Sequence, residues 1–200
     1  MIRRVFVSEL CVTVCAVMSS TPNLNLLVLG SGEIARLLIT LAQHADYAIT
    51  VCDNDVDQYH WHEGVTTKSF NFSEQAWPLN NNTHAIIARG HQGDAENLVS
   101  LLEHNASHIY LIASAARSQG IIDQVTPFLS DPAQLNRLSA PAGLSLGGQS
   151  SYEIAVSILA EIQWRCYGRA TIQALTELRA NRVTNSVSGQ RDKGCPGKRP

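Results

Sequence analysis

The segment Gly30-Ser31-Gly32-Glu33-Ile34-Ala35 constrains this chain more than any other feature. It follows an apolar run, Leu24 to Leu29, and opens a stretch with helical apolar spacing at Ile34, Leu37, Leu38 and Leu41. A short uncharged run stopped by glycine suits a strand buried on both faces of a parallel sheet. A second β-branched run, Tyr47 to Cys52, ends at Asp53. Together these pieces make one strand-helix-strand unit of about thirty residues around the pattern G-x-G-x-x-A. In such a loop Gly30 allows the tight turn, Gly32 lets backbone approach a phosphate, and Ala35 lets the helix lie close on the strand. Unpaired amides at the helix start, with the helix dipole behind them, attract anionic oxygens. Gly30, Ser31, Gly32, Glu33 and Ile34 are therefore the expected phosphate loop, and Asp53 is placed to accept from a ribose hydroxyl. The plainer reading is that the glycines serve only the turn.

The alternation continues downstream. Thr83 to Arg89 and His108 to Ala113 read as strands around a helix from Asp94 to His104, and Thr66 to Phe72 reads as a further strand. Ser114 to Leu129 has a helical pattern with Pro127 near its end, and Ser130 to Gly148 reads as loop. Ser150 and Glu153 form a capping box ahead of a helix whose stripe is Ile154, Ala155, Ile158, Leu159 and Ile162. The expected fold is a Rossmann-like α/β domain over residues 23–168, a doubly wound, mainly parallel sheet with helices on both faces. Residues 1–22 carry no clear pattern, 169–182 contain a last helix from Thr171 to Ala180, and 183–200 read as a disordered tail.

Composition narrows the function classes. The 200 residues carry 44% hydrophobic and 16% charged side chains, ordinary usage for a folded chain. A formal net charge of −2 gives no positive field to draw the protein onto nucleic acid, so no nucleic-acid partner is expected. Cys11, Cys15, Cys52, Cys166 and Cys195 are odd in number and scattered, which argues against a disulfide framework or a zinc site. Cys166, beside Trp164 and Tyr167, reads as packing rather than nucleophile. Arg3 and Arg4 precede an apolar stretch as in a signal peptide, but Glu9 interrupts it, and a start at Met18 explains the segment equally well. No uncharged apolar run reaches about 18 residues, so no membrane span is expected, and the expected compartment is the cytoplasm.

Groups at the carboxyl ends of the later strands are the remaining site candidates. Arg89 and His91 follow one strand, Ser114 ends the next, and Arg117 lies one turn into the helix beyond. Each either faces the cleft or points to water. The stretch Ala140 to Gly148, with glycines at 143, 147 and 148, reads as a second cleft wall or a plain connector. No Ser/His/Asp arrangement or paired carboxylates with supportive spacing emerges, which favours a binding role over catalysis.

Two longer segments carry a resemblance. LSAPAGLSLGGQSSYEIAVSILAEI, Leu138 to Ile162, resembles the segment hAPIGLDIGAxTPEEIAVSIxAEI of the XdhC/CoxI family, the xanthine dehydrogenase accessory proteins, in its C-terminal Rossmann domain. LLVLGSGEIARLL resembles that family's vxGAGHVAxxL, and Asp53, His91 with Asp94, and IYLIASAARSQG fall on its further motifs. The chain departs from the pattern at Glu33, where the family has His, at Ala115 and Ala116, where it has a basic pair, and at Ser145, where it has an acid. The resemblance implies an accessory protein that binds molybdenum cofactor during maturation of a molybdenum hydroxylase. Its implied partners are the apoenzyme and a sulfur-donating desulfurase. Arg89, His91, Ser114 and Arg117 would then line the side opposite the glycine loop. The same loop and Asp53 would also serve an NAD(P)-binding oxidoreductase or nucleotide sensor. A third alternative is a structural module forming a homodimer through its Ser150 to Gly168 helix.

Overall fold

The computed structural model describes residues 24–45, 47–69, 77, 79–90, 93–104 and 106–167. The chain divides into two compact units, Met1–Ile162 and Gln163–Pro200. In the first, the described residues build a six-stranded sheet from β1 (Asn25–Leu29), β2 (Ala48–Cys52), β3 (Val65–Lys68), β4 (Thr83–Ile87), β5 (His108–Leu111) and β6 (Leu138–Ser139). Its order is β3-β2-β1-β4-β5-β6, with every pairing parallel. The helices are α1 (Glu33–Ala42), α2 (Asp94–Glu103), α3 (Ala115–Val125) and α4 (Ser151–Cys166). From β1 the chain steps outward one way, and from β4 the other. Right-handed crossovers in opposite directions place α1 on one face of the sheet and α2 and α3 on the other.

Side-chain alternation along the strands sorts the core. Leu27, Leu29, Ala85, Ile87, Ile109 and Leu111 meet Leu98, Leu101 and Leu102 of α2 and Ile121 and Val125 of α3. On the opposite face β1, β4 and β5 supply Leu26, Val28, Ile86 and Tyr110, all buried. Ala35, Leu38, Ile39 and Ala42 of α1 and Ala155, Ile158 and Ile162 of α4 are buried as well. Removing each such Leu or Ile from water contributes roughly 1.5–3 kcal/mol, which fixes the helices on the sheet.

The Rossmann-like expectation holds, with differences at the edges. The Pro- and Gly-rich stretch read as loop contains a turn of 3-10 helix at Pro132–Arg137 and the two-residue strand β6. A strand that short leaves no periodicity in the sequence. It is held from outside: the Arg137 guanidinium donates to Ala106 O at 2.9 Å and to Leu102 O at 2.5 Å, the latter an end carbonyl of α2. The helix expected to Leu129 stops at Val125 and tightens into a 3-10 turn at Thr126–Phe128, where Pro127 lacks the amide to continue it. The weakly patterned region after Asp53 puts Tyr59 beneath the Arg36 guanidinium of α1, 4.3 Å from ring centroid to Cζ. Segment 1–22, the helix Thr171 to Ala180 and the tail 183–200 lie outside the described residues, as does the part of the expected third strand beyond Ser69. In the second unit, residues 163–167 include the last turn of α4, with the Arg165 guanidinium 5.4 Å above the Trp164 ring. Burial pushes the Cys166 thiol above its ordinary value, which agrees with a packing role. No described helix is long and apolar enough to cross a membrane.

Candidate functional site

The glycine loop leaves β1 at the centre of the sheet, where neighbouring connections depart to opposite faces. Gly30 N donates to Cys52 O at 2.9 Å and Ala88 N to Leu29 O at 2.8 Å, so β2 and β4 hold the bend from either side. Gly30 adopts φ +115°, and a Cβ there would lie 2.6 Å from Ala88 O and 2.8 Å from Ala88 C. Only glycine satisfies both the positive φ and the passing β4 backbone. Gly32 is different. It is the N-cap of α1 with φ −60° and ψ 171°, and as a glycine it offers no side chain to cap the helix start. Among the described residues, a Cβ on Gly32 would meet only Ala88 O, at 3.8 Å. The small residue therefore answers no crowding inside the fold and leaves the backbone at the start of α1 open to approach.

Asp53 closes the loop from β2. Its Oδ2 accepts the Ser31 hydroxyl at 2.7 Å, and its Oδ1 accepts Asn54 N at 2.7 Å. Ser31 is buried. The structure thus unites Gly30, Ser31, Gly32 and Asp53, with the carboxylate bracing the bend. Next to Asp53, burial raises the Cys52 thiol above its ordinary value, so that cysteine is a weak nucleophile.

Beside the loop lies a cleft of about 610 Å³, within the usual range for small-molecule sites. Ile34 lines it from α1, Ile112, Ala113 and Ser114 from the end of β5, and Ile154 and Ser157 from α4. Pro141, Ala142 and residues 144–149 complete it, so the stretch before α4 does form a second wall. None of these lining residues is charged. The polarity on offer is hydroxyl, amide and backbone.

Each helix start around the cleft is treated differently. α1 has no side-chain cap, whereas Ser114 caps α3, its Oγ accepting Arg117 N at 3.3 Å. α4 begins with the expected capping box: Ser150 Oγ accepts Glu153 N at 3.3 Å, and Glu153 Oε2 accepts Ser150 N at 3.0 Å and Gln149 N at 3.1 Å. The Ser150 amide, the Ser150 hydroxyl and the Gln149 amide hold the Glu153 carboxyl below its ordinary range. Glu33, the residue most in conflict with an anion site, accepts the Ser151 hydroxyl at 3.0 Å. Its carboxylate spans from the start of α1 to the start of α4 instead of turning into the loop.

Of the four groups expected opposite the glycine loop, the structure brings Ser114 to the cleft. The Arg117 guanidinium is ion-paired with Asp94, whose side chain is 3% exposed, and so joins α3 to α2. Arg89 runs its guanidinium toward the start of α2, with Nη1 3.7 Å from where a Gly93 Cβ would sit. His91 lies outside the described residues. Sequence reasoning missed the buried Asp94 as the destination of Arg117, and it missed Glu161 and Ser157, which face the wall from α4. The helical stripe reading marked apolar positions only, although Ser157 and Glu161 fall on the same buried side.

A parallel sheet in this order, with a glycine loop at the point where the winding reverses, defines a Rossmann-type α/β domain. The profile of the XdhC Rossmann domain matches residues 26–162, and the chain belongs to the XdhC family. It is 27% identical over 144 residues to YqeB of Escherichia coli strain K12, itself described as an uncharacterized protein. That likeness covers 69% of this chain but 26% of YqeB. A crystal structure from Bacillus halodurans described as a xanthine dehydrogenase shares the fold with a TM-score of 0.62 at 23% identity, over 78% of this chain and 46% of that one. The chain thus spans about a quarter of the curated relative and under half of the solved structure.

Proposed function

We propose that this chain is an accessory binding domain for the maturation of a molybdenum hydroxylase of the xanthine dehydrogenase type, holding molybdenum cofactor or a related phosphate-bearing ligand in the cleft. Membership of the XdhC family supports the accessory role. The observation that carries the binding half is the meeting of an uncapped helix start with an open, uncharged cleft. Backbone amides at Glu33 and Ile34 would take the phosphate, as helix N-termini do for anions generally. Ile34, Ile112 and Leu144 would cover the flat ring system, and Ser114 and Gln149 would take its polar edge. Once bound, the cofactor supplies the molybdenum centre used by the target enzyme. The work of this chain is to hold it, orient it and keep water from it. In this reading the partners are the apoenzyme and a sulfur-donating desulfurase.

The test is to produce the chain in a host that makes the cofactor and to assay pterin and molybdenum released on denaturation. Stoichiometric pterin in the wild type, lost in a folded Gly32→Asp variant, is the expected result. Absence of pterin from the wild type, with apoenzyme activation indifferent to the protein, would reject the reading. Asp53 at the end of β2, already tied to the loop through Ser31, favours one second reading, an NAD(P)-binding protein. Saturable thermal stabilisation by NAD, NADH or NADP, without retained pterin, would establish it instead.

A further inference from the structure

We propose that Glu161, which lines no part of the cleft, is the positioning residue that fixes the cleft's second wall. It sits on the fourth turn of α4 and is 5% exposed. Its Oε2 accepts Gly143 N at 2.7 Å, and its Oε1 accepts the Ser139 hydroxyl at 2.5 Å. One carboxylate therefore holds both the last residue of β6 and the first bend of the wall that follows it. Charge-assisted hydrogen bonds of this kind are shorter and stronger than neutral ones, and inside a protein they are screened little by solvent.

The neighbouring contacts show why that bend sets the wall. Gly143 has φ +105°, and a Cβ there would fall onto Ser157 Oγ, well inside contact distance. Leu144 N donates to Ser157 O at 3.2 Å, and Ala142 N donates to Leu111 O at 2.9 Å. The wall is thus pinned to α4 and to the end of β5 within three consecutive residues, and only the Gly143 pin is a side chain on a separate element. Downstream, Leu146 is 59% exposed and residues 144–149 line the cleft, so the Gly143 pin holds the wall at the end where it leaves β6, as Glu153 holds it at Gln149.

Behind Glu161 runs a buried polar row. Ser139 Oγ lies 2.8 Å from His108 Nε2, the His108 ring is 4.9 Å from that of Tyr110, and Tyr110 OH is 2.9 Å from His84 Nδ1. This row holds the Ser139 hydroxyl in place beside the carboxylate. Glu161 acts on the ligand only through the wall, so its effect on affinity rests on the cleft reading above, whereas its effect on the wall does not.

Amide hydrogen exchange of the apo protein over residues 143–148 tests the inference without any ligand. Glu161→Leu, close in shape and without an acceptor, is expected to exchange about tenfold faster there while β1 and β4 keep their protection. Glu161→Gln keeps an acceptor for Gly143 N and is expected to restore slow exchange. Ser139→Ala removes the hydroxyl bond to Oε1 and leaves the Gly143 bond to Oε2, so it is expected to leave the wall at the wild-type rate. Wild-type exchange in Glu161→Leu, or acceleration in Ser139→Ala as large as in Glu161→Leu, overturns the proposal. If Glu161→Leu does not fold, Glu161→Met, also without an acceptor for Gly143 N, takes its place with the same two outcomes. Retained pterin is then compared across the same proteins. A loosened wall with a several-fold loss of pterin upholds both readings. A loosened wall in a protein whose wild type never retains pterin upholds the positioning role and removes the cofactor.

Discussion

The two faces of the sheet are built from different chemistry. Against α2 and α3 the strands present a mainly apolar surface built from Leu27, Leu29, Ala85, Ile87, Ile109 and Leu111. On the opposite face the strands β4 to β6 present His84, His108, Tyr110 and Ser139 in a bonded row, and Ser139 donates to Glu161 of α4. The first face gains its stability from area and close packing, which are indifferent to direction. The second exchanges some of that for directional bonds, and directional bonds define where a loop sits. The difference teaches that the α2–α3 face sustains the fold, while the α4 face shapes the cleft.

The sharpest division is expected from Leu101→Ala. Leu101 is fully buried on the apolar face, and its truncation should cost about 3 kcal/mol in denaturant unfolding. Ligand affinity per folded molecule should be unchanged. Next comes Arg117→Met, which removes the ion pair to Asp94 between α2 and α3 and should cost about 2 kcal/mol. If Arg117 instead served the ligand, the same variant would weaken binding more than folding, and calorimetry on the folded protein separates the two. Ser150→Ala removes the side-chain cap of α4 and should cost about 1 kcal/mol. Unlike the first two it should also loosen the cleft wall, read as faster exchange around Gln149.

The smallest effect is set by pH. The carboxyl of Glu153 titrates below its ordinary value in the folded protein, so its contribution is present above the ordinary carboxylate range. It is lost as pH falls through the lowered value. Circular dichroism on acidification should show the start of α4 fraying there in the wild type, and Glu153→Gln should lose that dependence. An unchanged acid profile in the variant would mean that the capping box does not govern this end of the helix.

Much of this was legible in the sequence because it repeats or punctuates. Strands β1, β2, β4 and β5 and helices α1 to α4 announce themselves through period and glycine, and the capping box at Ser150 and Glu153 through spacing. Gly30, Ser31 and Asp53 were legible as a unit because a strand-turn-helix bend allows few solutions. β6 was not, since two residues have no period and its place depends on Arg137 reaching α2. Nor was the Glu161 to Gly143 bond. It joins a helix to a loop across 18 positions, and no local preference marks either end. Arg117 was read, one turn into its helix, as reaching the cleft or pointing to water, and the folded arrangement reveals a buried carboxylate within its reach.

The central claim is that the amides at the start of α1 receive an anionic ligand in the cleft between that loop and the 144–149 wall. Backbone amide NMR during titration with a phosphate-bearing pterin reads it directly. Saturable shifts at Gly32, Glu33 and Ile34 together with Ser114 and Leu144, and a silent α2–α3 face, are predicted. A titration that leaves those amides unmoved, or that moves only residues such as Val99 and Phe128 on the far side, would contradict it.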